Sequence, residues 1–429
     1  NPNARMVLER NPNYRGEAYP GEGEERDAAA GLLADAGKRM PFIDKVVFSR
    51  EREGIPYWNK FLQGYYDLSG ISSDSFDQAV RVSVEGEAGV SPEMAAKGIK
   101  LKTSVSASTY YFAFNWLDPV VGGEQSDAAA RARARKLRQA ISIALDWEEF
   151  ISIFANGRGI PAQGPIPSGI FGYREGRDGV NPVVYDWAGD APKRKPIEAA
   201  KKLLAEAGYP GGRDAQSGQP LVLYLDTTDR GPGDKPRLDW YRKQFAKLAI
   251  QLEIRGTDYN RFQEKVRKGA AQMFAWGWLA DYPDPENFLF LFHGPQSRAK
   301  AQGENAANYA NPEYDRLFEQ VKHMENGSAR QALIDRMMAI LREDAPWSFG
   351  YHPKDYSLYH GWVANLKPNL MARNSLKYQR IDAALRERRR AEWNRPVLWP
   401  LGLLVVVIVA SAAPAVIGWR RRERSKGRT

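Results

Sequence analysis

Polar and apolar positions switch between two periods along this chain, and each switch marks an element. Residues 6–10 alternate every second position and Asn11-Pro12-Asn13 then turns the chain, which predicts a strand and a bend. Residues 42–48 return to the strand period and 55–64 read as a helix. Residues 17–38, rich in Gly, Ala and Glu, are expected to form a surface insertion. Residues 99–105 and 109–115 are further strands. In the second, Tyr110, Phe112 and Phe114 share one face, and Tyr111, Ala113 and Asn115 share the other.

The helical period takes over at 128–145, where Leu137, Ile141, Ala144 and Leu145 form one stripe. Asp146 followed by Glu149 predicts a capping box for the next helix, which Asn156-Gly157 should stop. Pro196 opens another helix that Gly208 closes, with Leu203 and Leu204 inward. Residues 221–226, 236–248, 250–255, 259–268 and 272–278 then read strand, helix, strand, helix, strand. Such alternation predicts a sheet covered by helices, with ligands met at the carboxyl ends of strands. A two-faced helix at 329–342 and a strand at 347–351 follow, while 164–169 (GPIPSG) reads as a stiff loop.

The run FAWGWLADYPDPENF at 274–288 carries the densest chemistry. Pro283 and Pro285 fix φ and remove donors, so the chain must leave the strand there and hold Asp281 where strand becomes loop. A carboxylate at that edge beside Trp278 could accept an ammonium, or it could cap its own turn. Trp276 and Trp278 lie two apart and face one side of the strand, where either could wall a cavity or fill a core.

Of 429 residues none is cysteine, which removes disulfides, thiolate metal sites and Cys nucleophiles. The length suits two lobes. The net charge of +10 could suggest nucleic acid, but its location argues against that. From Arg386 to Thr429 eleven Lys or Arg face three Glu, a local +8 that leaves only +2 for the preceding residues. The basic excess flanks residues 396–419, which carry no charge and have Trp393, Trp399 and Trp419 at their ends. A helix of that length crosses a hydrocarbon core of about 30 Å, with indoles and arginines as anchors. Pro414 should kink or end it near its far side, and Ala410, Ser411, Ala412 and Ala413 form a small-residue patch open to another helix or merely tolerated. No signal peptide is visible after Asn1.

Trp278, Ala280, Asp281, Tyr282, Asp284, Pro285 and Phe288 resemble the signature of family 5 extracellular solute-binding proteins, the peptide-binding and sometimes nickel- or opine-binding receptors of bacterial ABC importers. Residues 6–16 (MVLERNPNYRG), 137–173 and 199–212 resemble further blocks of that family in order and spacing. The resemblance runs from about Met6 to about Arg380 and implies an α/β, periplasmic-binding-protein type II, two-lobe architecture. The long stretch that such receptors carry before the NPNY block is absent, so the chain is expected to be processed, split or partial. The expected organisation is residues 1–114 as the remainder of the first lobe, 115–362 as the second α/β lobe and 363–385 as a return to the first. A basic juxtamembrane segment at 386–395, a transmembrane helix at 396–419 and a basic cytoplasmic tail at 420–429 complete it.

In peptide-binding members the matching Asp holds the ligand's amino terminus, which implies that role for Asp281, with Trp278 and Tyr282 beside it. Tyr110 and Tyr111 resemble the aromatic pair at the crossover between lobes, where one ring commonly faces the cleft, which makes both candidate ligand contacts against the alternative of packing. Asn115, ending the same strand, is expected to cap the hinge or touch ligand. Ala275 stands where many peptide binders carry an Arg that meets a ligand carboxylate, so that contact is not expected here.

The four histidines are scattered, and no HExxH, Walker A, nucleophile elbow or strand-borne GxGxxG is present, so no catalysis, cofactor or metal is expected. The leading expectation is a membrane-tethered extracytoplasmic receptor that closes its lobes on a peptide or small amine-bearing solute and delivers it to ABC permease subunits. The alternative is the same fold retained as an accessory or assembly subunit of another membrane complex.

Overall fold

The computed structural model describes residues 4–51, 54–82, 88–124, 127–229, 231–372 and 374–426, so the end of the basic tail and Asn1 lie outside the described residues. The chain divides into two compact units, one of Asn1–Ser69, Tyr359–Leu366 and Leu376–Thr429, the other of Gly70–Leu358 and Lys367–Ser375.

The first unit opens with β1 (Arg5–Glu9), paired antiparallel with β2 (Lys45–Ser49) so that Val7 faces Val47. The segment between them is more than a surface insertion. It forms the short helix Glu25–Ala29 and buries Asp35, whose carboxylate accepts from Lys38 at 2.6 Å, Arg380 at 2.7 Å and Asn365 at 2.8 Å. Burial opposes ionisation there, but those donors prevail and hold the carboxyl well below its ordinary range. The helix α1 (Gly54–Leu62) follows.

The second unit holds β3 (Ile99–Val105), β4 (Ser108–Phe114), α2 (Ala128–Ala144), α3 (Trp147–Ala155), α4 (Ile197–Glu206), β5 (Val222–Thr228), α5 (Lys235–Ala246), β6 (Gln251–Thr257), α6 (Tyr259–Arg267), β7 (Met273–Leu279), α7 (Pro312–Val321), α8 (Ser328–Asp344) and β8 (Trp347–His360), whose last two residues pass into the first unit. Its sheet runs β6-β5-β7-β4-β8, with β3 and the short strand Gly159–Pro161 also paired to β8. β5 is parallel to β6 and β7, as helical crossovers require, and β4 is antiparallel to β7 and β8.

Both faces of this sheet are buried. Phe112, Phe114 and Met273 pack with Leu137 and Ile141 of α2 on one side, and Tyr111, Ala113, Phe274 and Trp347 pack under α7 and α8 on the other. The alternation read from residues 109–115 is therefore the alternation of two cores. It also moves the domain boundary: β4 lies between β7 and β8 at the centre of the second sheet, so the chain divides at Ser69/Gly70 and not at Phe114/Asn115.

The Asp146 carboxylate caps α3 by accepting from Glu149 N at 2.9 Å, but the predicted box is only half formed. Glu149 Oε2 instead accepts from Trp240 Nε1 at 3.0 Å and Gln244 Nε2 at 2.7 Å on α5, where buried donors need a partner. Asn156 takes the left-handed conformation, φ 50°, that ends α3.

The chain returns to the first unit and closes with α9 (Ala383–Trp393) and α10 (Trp399–Lys426). α10 runs on through Pro414, where an end or kink is predicted, because losing one backbone donor does not by itself stop a long apolar helix. Its Trp399–Glu423 stretch is long and apolar enough to cross a membrane, and none of it is buried against protein.

Candidate functional site

β7 delivers the candidate site. It is held between β5 and β4, with Trp278 opposite Thr109 and Gly277 opposite Tyr110, and its ladder ends where Ala280 N donates to Ala107 O at 2.8 Å. Beyond that point the prolines forbid further pairing and the chain folds into a turn.

Asn287, fully buried, holds this turn together. Its Oδ1 accepts both from the Trp278 indole Nε1 at 3.2 Å and from Asp281 N at 2.9 Å. A second brace comes from Asp284, which caps Glu286 N at 2.8 Å and receives both terminal nitrogens of Arg330 at 2.7 Å each. Arg330 is itself buried and also donates to Val321 O and Asn326 Oδ1. Partial burial would raise the Asp284 pKa, but the Arg330 fork and the backbone donor outweigh it and keep the carboxyl ionised below its ordinary range.

Asp281 stands apart from this network. It is exposed, and its carboxylate makes no hydrogen bond or ion pair among the described residues. The turn is braced by Asn287 and Asp284 instead, and the cap reading of Asp281 has no donor for its side chain among the described residues. Tyr282, next to it, is exposed and donates its hydroxyl to Glu286; partial burial and that carboxylate push its pKa up to about 12. Trp278 is half-buried, edge-on to Phe290 at 5.4 Å. Its neighbour Trp276 packs against Phe262 and Phe274 and carries the Arg298 guanidinium 5.4 Å over its ring.

Trp278, Asp281 and Tyr282 therefore come together, whereas the other predicted residues do not join them. Tyr110 lies on the opposite face of the sheet from Trp278, exposed, stacked on Tyr351 at 5.2 Å and directly over Gly277. Tyr111 is corrected from a cleft residue to a core residue: its ring is buried flat against Trp347 at 3.4 Å, and burial drives its hydroxyl pKa upward. Asn115 is likewise corrected. Its amide donates to Gly269 O and Ala271 O at 2.9 Å each and accepts from Asn308 at 3.1 Å, so it has no capacity left for a ligand.

Concavities among the described residues of the second unit include two near α8. One, lined by Tyr282, Asp284, Lys322, Glu325 and Arg330, opens beside the turn; the other is lined by Gln163, Tyr173, Arg174, Asp335 and Arg342. Asp281 lines neither. Reasoning from sequence passed over Asn287 and Arg330; Asn287 stood in the quoted run, but nothing local marks an Asn as a clasp, and Arg330 lies 46 residues from its carboxylate.

A mixed sheet fed by βαβ crossovers, with an acidic turn at a strand's carboxyl end, defines the chain as having the fold of periplasmic binding proteins. Similar solved structures include the periplasmic binding protein DppA of Helicobacter pylori in complex with the peptide STSA (TM-score 0.63, 20% identity, 89% of this chain and 61% of that one). Another is the oligopeptide-binding protein AppA of Bacillus subtilis in complex with a nonapeptide (TM-score 0.60, 19% identity, 88% and 64%).

The model of bacterial extracellular solute-binding proteins, family 5 Middle, matches residues 1–300, and the chain belongs to that family. Among curated relatives, heme-binding protein A of Haemophilus influenzae is 27% identical over 224 residues, 51% of this chain and 37% of the relative. Di/tripeptide-binding protein 2 of Pseudomonas aeruginosa is 25% identical over 249 residues, 58% and 43%. The periplasmic oligopeptide-binding protein OppA of Salmonella typhimurium is 23% identical over 381 residues, 85% and 58%. The chain thus spans between 37% and 58% of the length of these relatives. They are named as binding proteins, not enzymes.

Proposed function

We propose that this chain is the solute-binding component of an ABC importer, taking peptides or similar small amine-bearing solutes, closing its lobes around them and passing them to permease subunits. The observation that carries the reading is Asp281, an exposed carboxylate that makes no hydrogen bond or ion pair among the described residues, on a turn braced by Asn287 and Arg330. A ligand ammonium would supply the missing donor, and the bond would strengthen as closure excludes water. Family membership and the peptide-binding relatives support the ligand class. Trp278 and Tyr282 would flank the amine, and Ala275 would leave a ligand carboxylate without a cationic partner at that point. The apolar, unburied α10 would tether the receptor in the inner membrane with its solute-binding part on the periplasmic side, replacing free diffusion by high local concentration near the permease.

Isothermal titration of the full chain in detergent with di- to pentapeptides tests this. Asp281→Ala should weaken binding roughly 10- to 150-fold, the worth of a charge-assisted hydrogen bond of about 1.5–3 kcal/mol. Blocking the peptide amine by acetylation should have a matching effect on the native chain and none on the variant. Peptides that bind both chains equally, or no peptide or amine that binds at all, would overturn the reading.

A further inference from the structure

The connection between the first unit and its apolar helix is short, and its near end is fixed. α9 is N-capped by Asp382, which accepts from Leu385 N at 2.9 Å. One face of the helix is packed down: Trp393 lies 5.6 Å from the Trp362 ring and 5.4 Å from His360, which stacks on Trp362 at 4.0 Å and sits 4.5 Å from Phe61. The Arg390 guanidinium covers Tyr65 at 5.0 Å, and Asn394 donates to Gln63 O at 3.0 Å. The chain passes so closely at Gly64 (φ +77°) that a Cβ would come within 2.9 Å of Arg390.

After Asn394 only Arg395, Pro396, Val397 and Leu398 precede α10. Fully extended, four residues span about 14 Å at most. Pro396 fixes its own φ and confines Arg395 to extended conformations, so the link is stiff as well as short. On the side of α9 away from the packed face, Arg388 is exposed, as is Arg395 beyond the helix end. Neither makes an ion pair or hydrogen bond among the described residues, while Glu387 and Glu392 are occupied by Arg390 and Arg389.

We propose that the first unit rests directly on the bilayer, with Arg388 and Arg395 against anionic phospholipid headgroups. The receptor is then mounted on the membrane and not leashed to it. This rests on the membrane-tether reading above and adds the partner, an anionic lipid surface. The four-residue link forces proximity, and Arg388 and Arg395 supply charges free to respond to it, each strengthening contact with an anionic leaflet roughly fivefold.

Because the chain has no cysteine, a single Ala391→Cys on the outward side of α9 can carry a unique fluorophore. The labelled full chain is placed in phosphatidylcholine nanodiscs containing a headgroup-spin-labelled quencher, with and without phosphatidylglycerol. Strong quenching in the anionic discs is expected, falling at least about fivefold when Arg388→Glu and Arg395→Glu are combined. Equal quenching with and without phosphatidylglycerol, or quenching untouched by the charge reversal, would overturn the proposal. A chain that inserts and resists alkaline carbonate yet shows no quenching overturns the mount alone, whereas a chain that carbonate releases overturns the tether as well.

Discussion

At the scale of single residues, the turn that carries Asp281 depends on Asn287 and on the Asp284–Arg330 pair. Asn287 accepts from two donors with one buried oxygen, so Asn287→Ala leaves the Trp278 indole N–H and the Asp281 amide unsatisfied. A loss of about 1–3 kcal/mol is expected, read as a lower unfolding midpoint in urea, with weaker binding because Asp281 is no longer held. Arg330→Met strands Asp284 beside a buried apolar side chain. The cost should sit at the low end of about 3–5 kcal/mol, since Asp284 keeps some contact with water.

His352 gives a pH signature. It is fully buried, with Nδ1 on Ser108 O at 3.1 Å, and burial lowers its pKa to about 4. Above its unfolded pKa of about 6.5 both states are neutral and nothing is lost; as pH falls from there towards 4, only the unfolded chain takes up the proton, so stability falls by up to about 3 kcal/mol. His293, also lowered by burial, adds in the same direction. Urea unfolding at pH 7.5 and pH 4.5 should show the loss, and His352→Gln should reduce it. A pH dependence unchanged by that substitution would contradict the assignment.

Among the elements, β7 carries two constraints that compete for the same few residues. Its odd positions pack on one core and its even positions on the other, and at Gly277 the Tyr110 ring lies so close that a Cβ would come within 2.6 Å. Gly277→Ala should therefore displace Tyr110 from Tyr351 at a cost of about 1–3 kcal/mol, seen as a lower unfolding midpoint and altered near-ultraviolet dichroism. The period of two was legible in the sequence and so was the strand. Which face each aromatic would use was not, because parity is a local property and the identity of each face depends on what packs there. Tyr110 and Tyr111 illustrate this: adjacent in sequence, one remains half-open on one side and the other is sealed under Trp347 on the opposite side.

For the molecule as a whole, long-range pairing overrides local composition. Residues 17–38 look like an expendable loop, yet Asp35 within them joins Arg380 and Asn365 from the far end of the chain. Deleting 17–38 should destabilise the first unit, with early proteolysis there, while the second unit, whose core lies in its own sheet, should keep its circular dichroism. Survival of the first unit intact would show that the Asp35 cluster is dispensable.

Several features of this protein were determined by sequence alone: the strand and helix periods, the proline turn that follows β7, the apolar C-terminal helix and the family. All of these follow from covalent geometry and short-range periodicity, which residues carry with them wherever the chain goes. Only the tertiary structure decided that β4 belongs at the centre of the second sheet, that Glu149 would leave its own cap for α5, that Asn115 and Tyr111 would be used up inside, and that Asn287 and Arg330 would brace the turn. Apart from the Asn287 clasp, whose donors lie within nine residues, each of those outcomes is set by which buried donor or ring arrives from a distant part of the chain, and a buried polar group must take the partner that reaches it.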